Sequence, residues 1–132
     1  MAAIIVLDVF VGIIVSPSEV RVLARVSFAR AQARLRPDTA PVLADIVAAL
    51  GEHKDIVELE VQGHASSDEP DAQKLSESRA RAVLARLVAS GVDRARLVAR
   101  GYGAARPVAP SSSADGRAQN RAVSFEVVRT EP

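Results

Sequence analysis

Residues 56–91 read IVELEVQGHASSDEPDAQKLSESRARAVLARLVASG, and the hydrophobic period changes halfway along. Val57, Leu59 and Val61 alternate with Glu58, Glu60 and Gln62, the period-2 pattern of a strand with one face in a core. A strand over 56–62 follows, broken by Gly63. Ala80, Val83, Leu84, Leu87 and Val88 then recur at the spacing of one helical face, which predicts a helix over 72–90 that Gly91 ends. Between the two lies the polar loop 63–73, GHASSDEPDAQ. A loop after a strand and before a helix is where α/β folds usually place their ligands.

The same two periods organise the chain on either side. Upstream, Val22, Ala24, Val26 and Phe28 alternate with Arg21, Leu23, Arg25 and Ser27, predicting a strand over 21–29. Pro37-Asp38-Thr39 supplies helix-start chemistry, and Val42, Leu43, Ile46, Val47 and Leu50 form the apolar stripe of a helix that Gly51 closes. Downstream, Asp93 caps a short turn, 97–100 is a strand, and Gly101-Tyr102-Gly103 leaves it. Residues 104–119 read as a Pro/Ser-rich loop, followed by a strand over 121–129 in which Val123, Phe125 and Val127 alternate with Ser124 and Glu126. The apolar run from Ile4 to Val15, interrupted by Asp8 and Gly12, is shorter than the roughly 20 residues a membrane helix needs. It also lacks the basic start and cleavage site of a signal peptide. It reads as an extra strand in a lead-in over 1–20, turned at Ser16-Pro17-Ser18, before a domain over 21–130. The order predicts a two-layer α/β fold of βαβαβ type, with helices on one side of a mixed sheet.

Composition narrows the chemistry. A chain of 132 residues that is 48% apolar is one globular domain with a real core. Aromatics supply only 3% and Trp is absent, which leaves almost nothing for base-stacking platforms. Without cysteine there is no disulfide framework, thiolate zinc site or thiol nucleophile. His53 and His64 match no helical metal-ligand spacing, so no metal is implied, and no cofactor either. The net charge of +1 conceals an asymmetry. Residues 1–71 hold 6 Lys and Arg against 11 Asp and Glu, whereas residues 72–132 hold 11 against 5. Arginine provides 15 of the 17 cations, and its planar fork suits two-point recognition of carboxylate or phosphate. Most of these arginines read as solvated helix faces.

Several patterns carry bland readings. Gly101-Tyr102-Gly103 lacks the third glycine and the helix of a dinucleotide fingerprint and reads as a strand exit. His64, Ser66, Ser67 and Asp68 contain the residue types of a hydrolytic triad, but neighbours on one loop do not reach triad geometry and no Gly-x-Ser-x-Gly supports one. Glu58 and Glu60 read as a solvated face. Arg79, Arg81 and Arg86 raise phosphate tracking as a rival, weakened by Glu77 on the same helix and by the acidic first half.

Taken in order, the blocks VSFARAQARLRPD, VLADIVAAL, LEVQGHAS, LSESRARAVLARLVASGV, RLVARGYGAARPVAP and GRAQNRAV resemble the OmpA-like C-terminal domain family, which includes MotB and the peptidoglycan-associated lipoprotein. The resemblance covers about residues 21–129. It implies a periplasmic, non-enzymatic domain that binds the peptide stem of peptidoglycan, with an Asp after the second strand and an Arg early in the next helix meeting the ammonium and carboxylate of diaminopimelate. By motif the arginine is Arg79, preceded by Leu75 and Ser76. The family's Gly-His-Thr-Asp appears as Gly63-His64-Ala65-Ser66, in a loop about two residues shorter than the common form. Its asparagine three residues before that leucine is Ala72, and its Asn-Arg-Arg is Asn120-Arg121-Ala122. Ser66 therefore stands at the aspartate position, with Asp68, Glu69 and Asp71 nearby to restore the charge and Asp68 favoured.

The resemblance thus implies a module that anchors an envelope protein to the wall. Arg79 would grip the stem carboxylate, Ser66 with Asp68 would face the ammonium, and Arg121 would support the rim. Envelope proteins are further partners, nucleic acid is not one, and membrane attachment would come only through other parts of a longer parent protein. The alternative is a structural or protein-interaction domain that kept the fold and lost the ligand, which the substitutions at Ser66, Ala72 and Ala122 favour.

Overall fold

The computed structural model describes residues 13–16, 19–22 and 24–131. Strands β1 (Ile13–Ser16) and β2 (Glu19–Val22) form a two-stranded antiparallel sheet. The rest is built from β3 (Val26–Ser27), α1 (Ala40–Glu52), β4 (Ile56–Gly63), α2 (Ala72–Ala89), β5 (Leu97–Gly101), α3 (Ala114–Asn120) and β6 (Ala122–Thr130). The main sheet runs β3-β6-β4-β5, with β4 and β5 parallel and the other pairs antiparallel. This is the expected mixed sheet. Of the lead-in over 1–20, residues 1–12, 17 and 18 lie outside the described residues, and with them the turn expected at Ser16-Pro17-Ser18. Residues 13–16 do form a strand, although it pairs with β2 and not with the main sheet.

Alternation decides which face is covered. Leu59, Val61, Val123 and Phe125 point into one core with Leu43, Ile46 and Leu50 of α1 and Ala80, Val83 and Leu87 of α2. Both helices therefore lie on the same face of the sheet. The opposite face carries Glu60, Gln62, Ser124 and Glu126, with Glu60 level with Glu126 and Gln62 level with Ser124 across β4 and β6. Glu60 is not a freely solvated carboxylate: it accepts from Gln62 and from the Tyr102 hydroxyl, and Arg100 lies 3.2 Å away.

Two expectations need correction. The strand placed over 21–29 is divided, because only Val26 and Ser27 ladder with β6, opposite Val123 and Ala122. The inward alternation of Ala24, Val26 and Phe28 is real, but alternation reports burial and not ladder pairing. The loop placed over 104–119 contains α3. Ser113 caps it by accepting from the Gly116 N–H, a start signal obscured by the Pro and Ser residues just before it.

The approach of α2 to the sheet sets the position of the loop between them. A Cβ on Gly63 would lie 1.8 Å from the Ser76 carbonyl oxygen, and one on Gly101 would lie 2.5 Å from the Glu77 nitrogen. Only residues without a side chain let the helix start this close to the ends of β4 and β5. The 64–71 loop is thereby held over the carboxyl ends of the parallel strands.

Candidate functional site

Arg79 stands on the inward face of α2, one turn beyond Ser76, and has no exposed surface. Five N–H donors are available to a guanidinium, and here all five are used. Nε donates to the Gln32 carbonyl at 2.8 Å. One terminal nitrogen donates to the His64 carbonyl at 3.0 Å and Glu69 Oε1 at 2.8 Å. The other donates to the Ala29 carbonyl at 3.2 Å and Glu69 Oε2 at 2.6 Å. Phe28 closes one side, its ring centroid 5.3 Å from Cζ.

Glu69 is equally complete. Besides the two bonds from Arg79, it accepts from the Ser66 N–H and the Ala31 N–H, each at 2.8 Å, filling the roughly four sites of a carboxylate. Ala31 adopts a left-handed backbone with φ of 60°, the conformation in which its N–H meets this acid. Burial alone would raise the Glu69 pKa, but the Arg79, Ser66 and Ala31 hydrogen bonds and the Arg79 charge outweigh it and hold the carboxyl below its ordinary value. The pair joins three segments: the loop 28–32, the loop 64–71 and α2.

The other three sequence-derived residues lie around this centre. Ser66 is fully buried, and its hydroxyl donates to Asp68. Asp68 keeps 38% of its side chain exposed, with Arg30 Nε at 3.5 Å and Arg117 Nε at 3.9 Å from the same oxygen. The Ser66 hydrogen bond chiefly holds the Asp68 carboxyl below its usual value, against some desolvation. Arg121 sits between α3 and β6, where its carbonyl accepts from the Phe28 N–H at 2.8 Å. Its Nε is buried without a hydrogen-bond partner among the described residues. Ser66 and Asp68 are therefore in direct contact, and Arg79 reaches them through Glu69. Asp68 is the exposed carboxylate beside Ser66.

Reading the residues in isolation missed two participants, Arg30 and Arg117, and missed that Glu69, named only as one of the loop acids, is the partner of Arg79. Glu69 lies ten residues before Arg79 in an irregular loop, a separation with no periodic signature. Arg30 and Arg117 reach Asp68 from segments 38 and 49 residues distant. His64 and Ser66, two of the triad residue types, point to different partners: His64 Nε2 contacts Ser124 Oγ at 2.7 Å, while its Nδ1 has no partner among the described residues. No group of described His, Asp and Glu residues could hold a metal ion, and no helix among the described residues is long and apolar enough to cross a membrane.

Comparison with known proteins adds the lineage. Residues 27–121 match the model of the OmpA family. Outer membrane porin F of Pseudomonas aeruginosa is 50% identical over 70 residues, covering 51% of this chain and 20% of that protein. The outer-membrane lipoprotein YfiB of Pseudomonas aeruginosa is 36% identical over 106 residues, covering 79% of this chain and 62% of that protein. The chain thus corresponds to less than two thirds of either curated relative. Among solved structures, the cell wall anchor of the T6SS from Pseudomonas aeruginosa superposes with a TM-score of 0.69 at 36% identity, covering 80% of this chain and 76% of that one.

Proposed function

The chain belongs to the OmpA family, and from that premise we propose that it is a peptidoglycan-associated anchoring domain of the bacterial envelope, acting without catalysis on the outer-membrane side of the periplasm. The matched cell wall anchor and outer-membrane relatives support the location and the general role. The ligand is the peptide stem, and the surface that meets it is the one around Asp68 and Arg121, with Ser66 and Arg79 buried beneath.

The observation that carries this reading is the Ser66–Asp68 contact. In the shortened loop the carboxylate comes from two residues further on, yet it returns to the Ser66 hydroxyl and stays open to solvent. An ammonium meets there an ionised acceptor, which a buried serine could not supply. Affinity at one site is modest, because polar ligands exchange water contacts for protein contacts at small net gain. Firm attachment comes from many tethered copies on one polymer. Sedimentation with purified sacculi tests the reading: wild-type protein pellets with the wall and Asp68→Asn pellets less, whereas wild type remaining in the supernatant overturns it.

A second reading, a protein-interaction domain of the same fold that has lost the ligand, is favoured by one observation: the arginine expected to face a ligand carboxylate is saturated internally. It predicts no sedimentation with sacculi and capture of an envelope protein instead.

A further inference from the structure

The two edges of the main sheet end differently. β3 ladders at two positions only, and the chain then leaves through the 28–32 loop that closes over Arg79. β5 ladders with β4 along its whole length and has no strand on its other side among the described residues. The Tyr102 N–H donates to the Gly63 carbonyl at 3.0 Å. Backbone groups alternate sides along a strand, so those of Val98 and Arg100 also face β4, and those of Ala99 and Gly101 face outward. The Gly101 carbonyl agrees, since it accepts from the Gln73 side chain at 2.7 Å. The Ala99 N–H and carbonyl and the Gly101 N–H remain as an open edge, able to pair with another strand.

Beside this edge runs an open groove of about 320 Å³ between β5 and α2, lined by Gln73, Glu77 and Arg81 at a spacing of four residues. An added Cβ on Gly101 would come within 2.5 Å of the Glu77 nitrogen, and one on Gly103 within 3.1 Å of the Gln73 side chain. The helix therefore descends as the strand climbs, and Arg81, one turn beyond Glu77, stands level with Ala99. Glu77 accepts from Gln73 at 3.0 Å. Arg81 is exposed and has no hydrogen bond or ion pair among the described residues.

We propose that a second copy of this chain takes up the edge, β5 pairing antiparallel with β5 about a twofold axis level with Arg100, so that Ala99 lies opposite Gly101 of the second copy. Ala99 and Gly101 then exchange N–H to carbonyl bonds as a hydrogen-bonded pair, and the symmetry makes the pair twice. The same axis sets Glu77 against Arg81 of the second copy and Arg81 against its Glu77, which gives the unpaired guanidinium a carboxylate. The neighbouring registers lack this match: an axis at Ala99 opposes Arg81 to Arg81, and one at Gly101 opposes Glu77 to Glu77. Arg100 does meet its own counterpart, but on the other face of the sheet, where Glu60 lies 3.2 Å away and offsets its charge. The two four-stranded sheets become continuous. Under the anchoring role proposed above, the antiparallel pairing puts the two 64–71 loops at opposite ends, so the dimer presents its wall-binding surfaces in opposite directions.

Sedimentation equilibrium of the intact chain, joined to amide hydrogen exchange at low and high protein concentration, tests this without any wall ligand. Wild type shows a monomer–dimer equilibrium that added salt weakens, and the Ala99 and Gly101 amides gain protection as the dimer forms. Arg81→Glu, a change on the exposed side of α2, raises the dimer dissociation constant roughly tenfold or more by setting carboxylates face to face. Adding Glu77→Arg to it returns the constant toward wild type, because the exchanged charges meet again. Wild type that stays monomeric at its highest soluble concentration overturns the inference and leaves the edge to a strand of another protein or to solvent. A dimer in which Ala99 and Gly101 gain no protection overturns it too. So does a dissociation constant that Arg81→Glu leaves unchanged, or a loss that the exchanged-charge variant, folded by circular dichroism, does not reverse.

Discussion

Arg79 and Glu69 meet fork to fork at 2.6 and 2.8 Å with neither side chain exposed to solvent, and every polar site of both groups is occupied. A buried ion pair in this condition is costly to break from one side. The partner left behind retains its desolvation penalty and loses the charge that offsets it. Glu69→Ala is expected to lower unfolding free energy by about 3–5 kcal/mol, read as a fall in the denaturation midpoint at unchanged slope. Replacing both residues by leucine and methionine restores only part of this, because the Ala29, Gln32 and His64 carbonyls also lose their donor. A double-mutant cycle with additive losses would show that the pair does not act as a unit.

Asn120 plays a comparable part at the end of α3, next to Arg121. It is 1% exposed, accepts from the Val108 and Ala109 N–H groups at 2.8 and 3.0 Å, and donates to the Ala109 carbonyl at 3.0 Å. Asn120→Ala strands two part-buried backbone donors and should cost about 1–2 kcal/mol. The loss has a local signature: hydrogen exchange at Val108 and Ala109 should accelerate well beyond the change in global stability. Uniform acceleration across the sheet would contradict this assignment.

Acid sensitivity should arrive in two stages. Burial first, then the Arg106 and Arg25 charges, lower the His64 pKa from 6.5. The unfolded chain therefore takes up a proton at His64 before the folded chain does, so stability falls as pH drops below about 6.5 toward the folded value. Glu69 and Asp68 are also lowered, from 4.5 and 3.8, so their contribution is present above those values and is lost at still lower pH. His64→Gln should flatten the first stage and leave the second. An unchanged stability profile between pH 5 and 7 in that variant would remove His64 from this account.

The elements with strong periodicity were legible in the sequence. The Leu59/Val61 alternation and the Ala80-Val83-Leu87 stripe give β4 and α2 to within a residue or so of their ends, because burial of one face is what both patterns encode. The short elements were not. α3 has seven residues, too few to show a period, and β3 is held by two ladder positions that no local signal distinguishes from the extended chain around them. The candidate site divides in the same way. Ser66, Arg79 and Arg121 were picked out by motif and Asp68 by its place on the same loop, but what Arg79 touches depends on Glu69 and three carbonyls brought together by the crossing of two loops, and tertiary proximity of that kind leaves no spacing to read.

Glycines give opposite expectations according to what surrounds them. Gly51 lies near the end of α1, and a Cβ there meets nothing within 4 Å. Gly51→Ala removes backbone freedom from the unfolded chain without a clash and should stabilise by about 0.5 kcal/mol. Gly63 is the reverse case. Its Cβ would fall 1.8 Å from the Ser76 carbonyl oxygen and 3.2 Å from the Ala80 side chain, and a backbone oxygen in a helix cannot swing aside as a flexible side chain can. Gly63→Ala must push α2 away from β4 at a cost of about 1–3 kcal/mol or more. Because Arg79 rides on α2 while Glu69 rides on the loop that begins at Gly63, the same displacement pulls the fork apart. Sedimentation of Gly63→Ala with sacculi should therefore weaken at temperatures where circular dichroism still reports folded protein, and Gly51→Ala should sediment as wild type does. Wild-type sedimentation by folded Gly63→Ala would mean that wall binding does not depend on how closely α2 approaches β4.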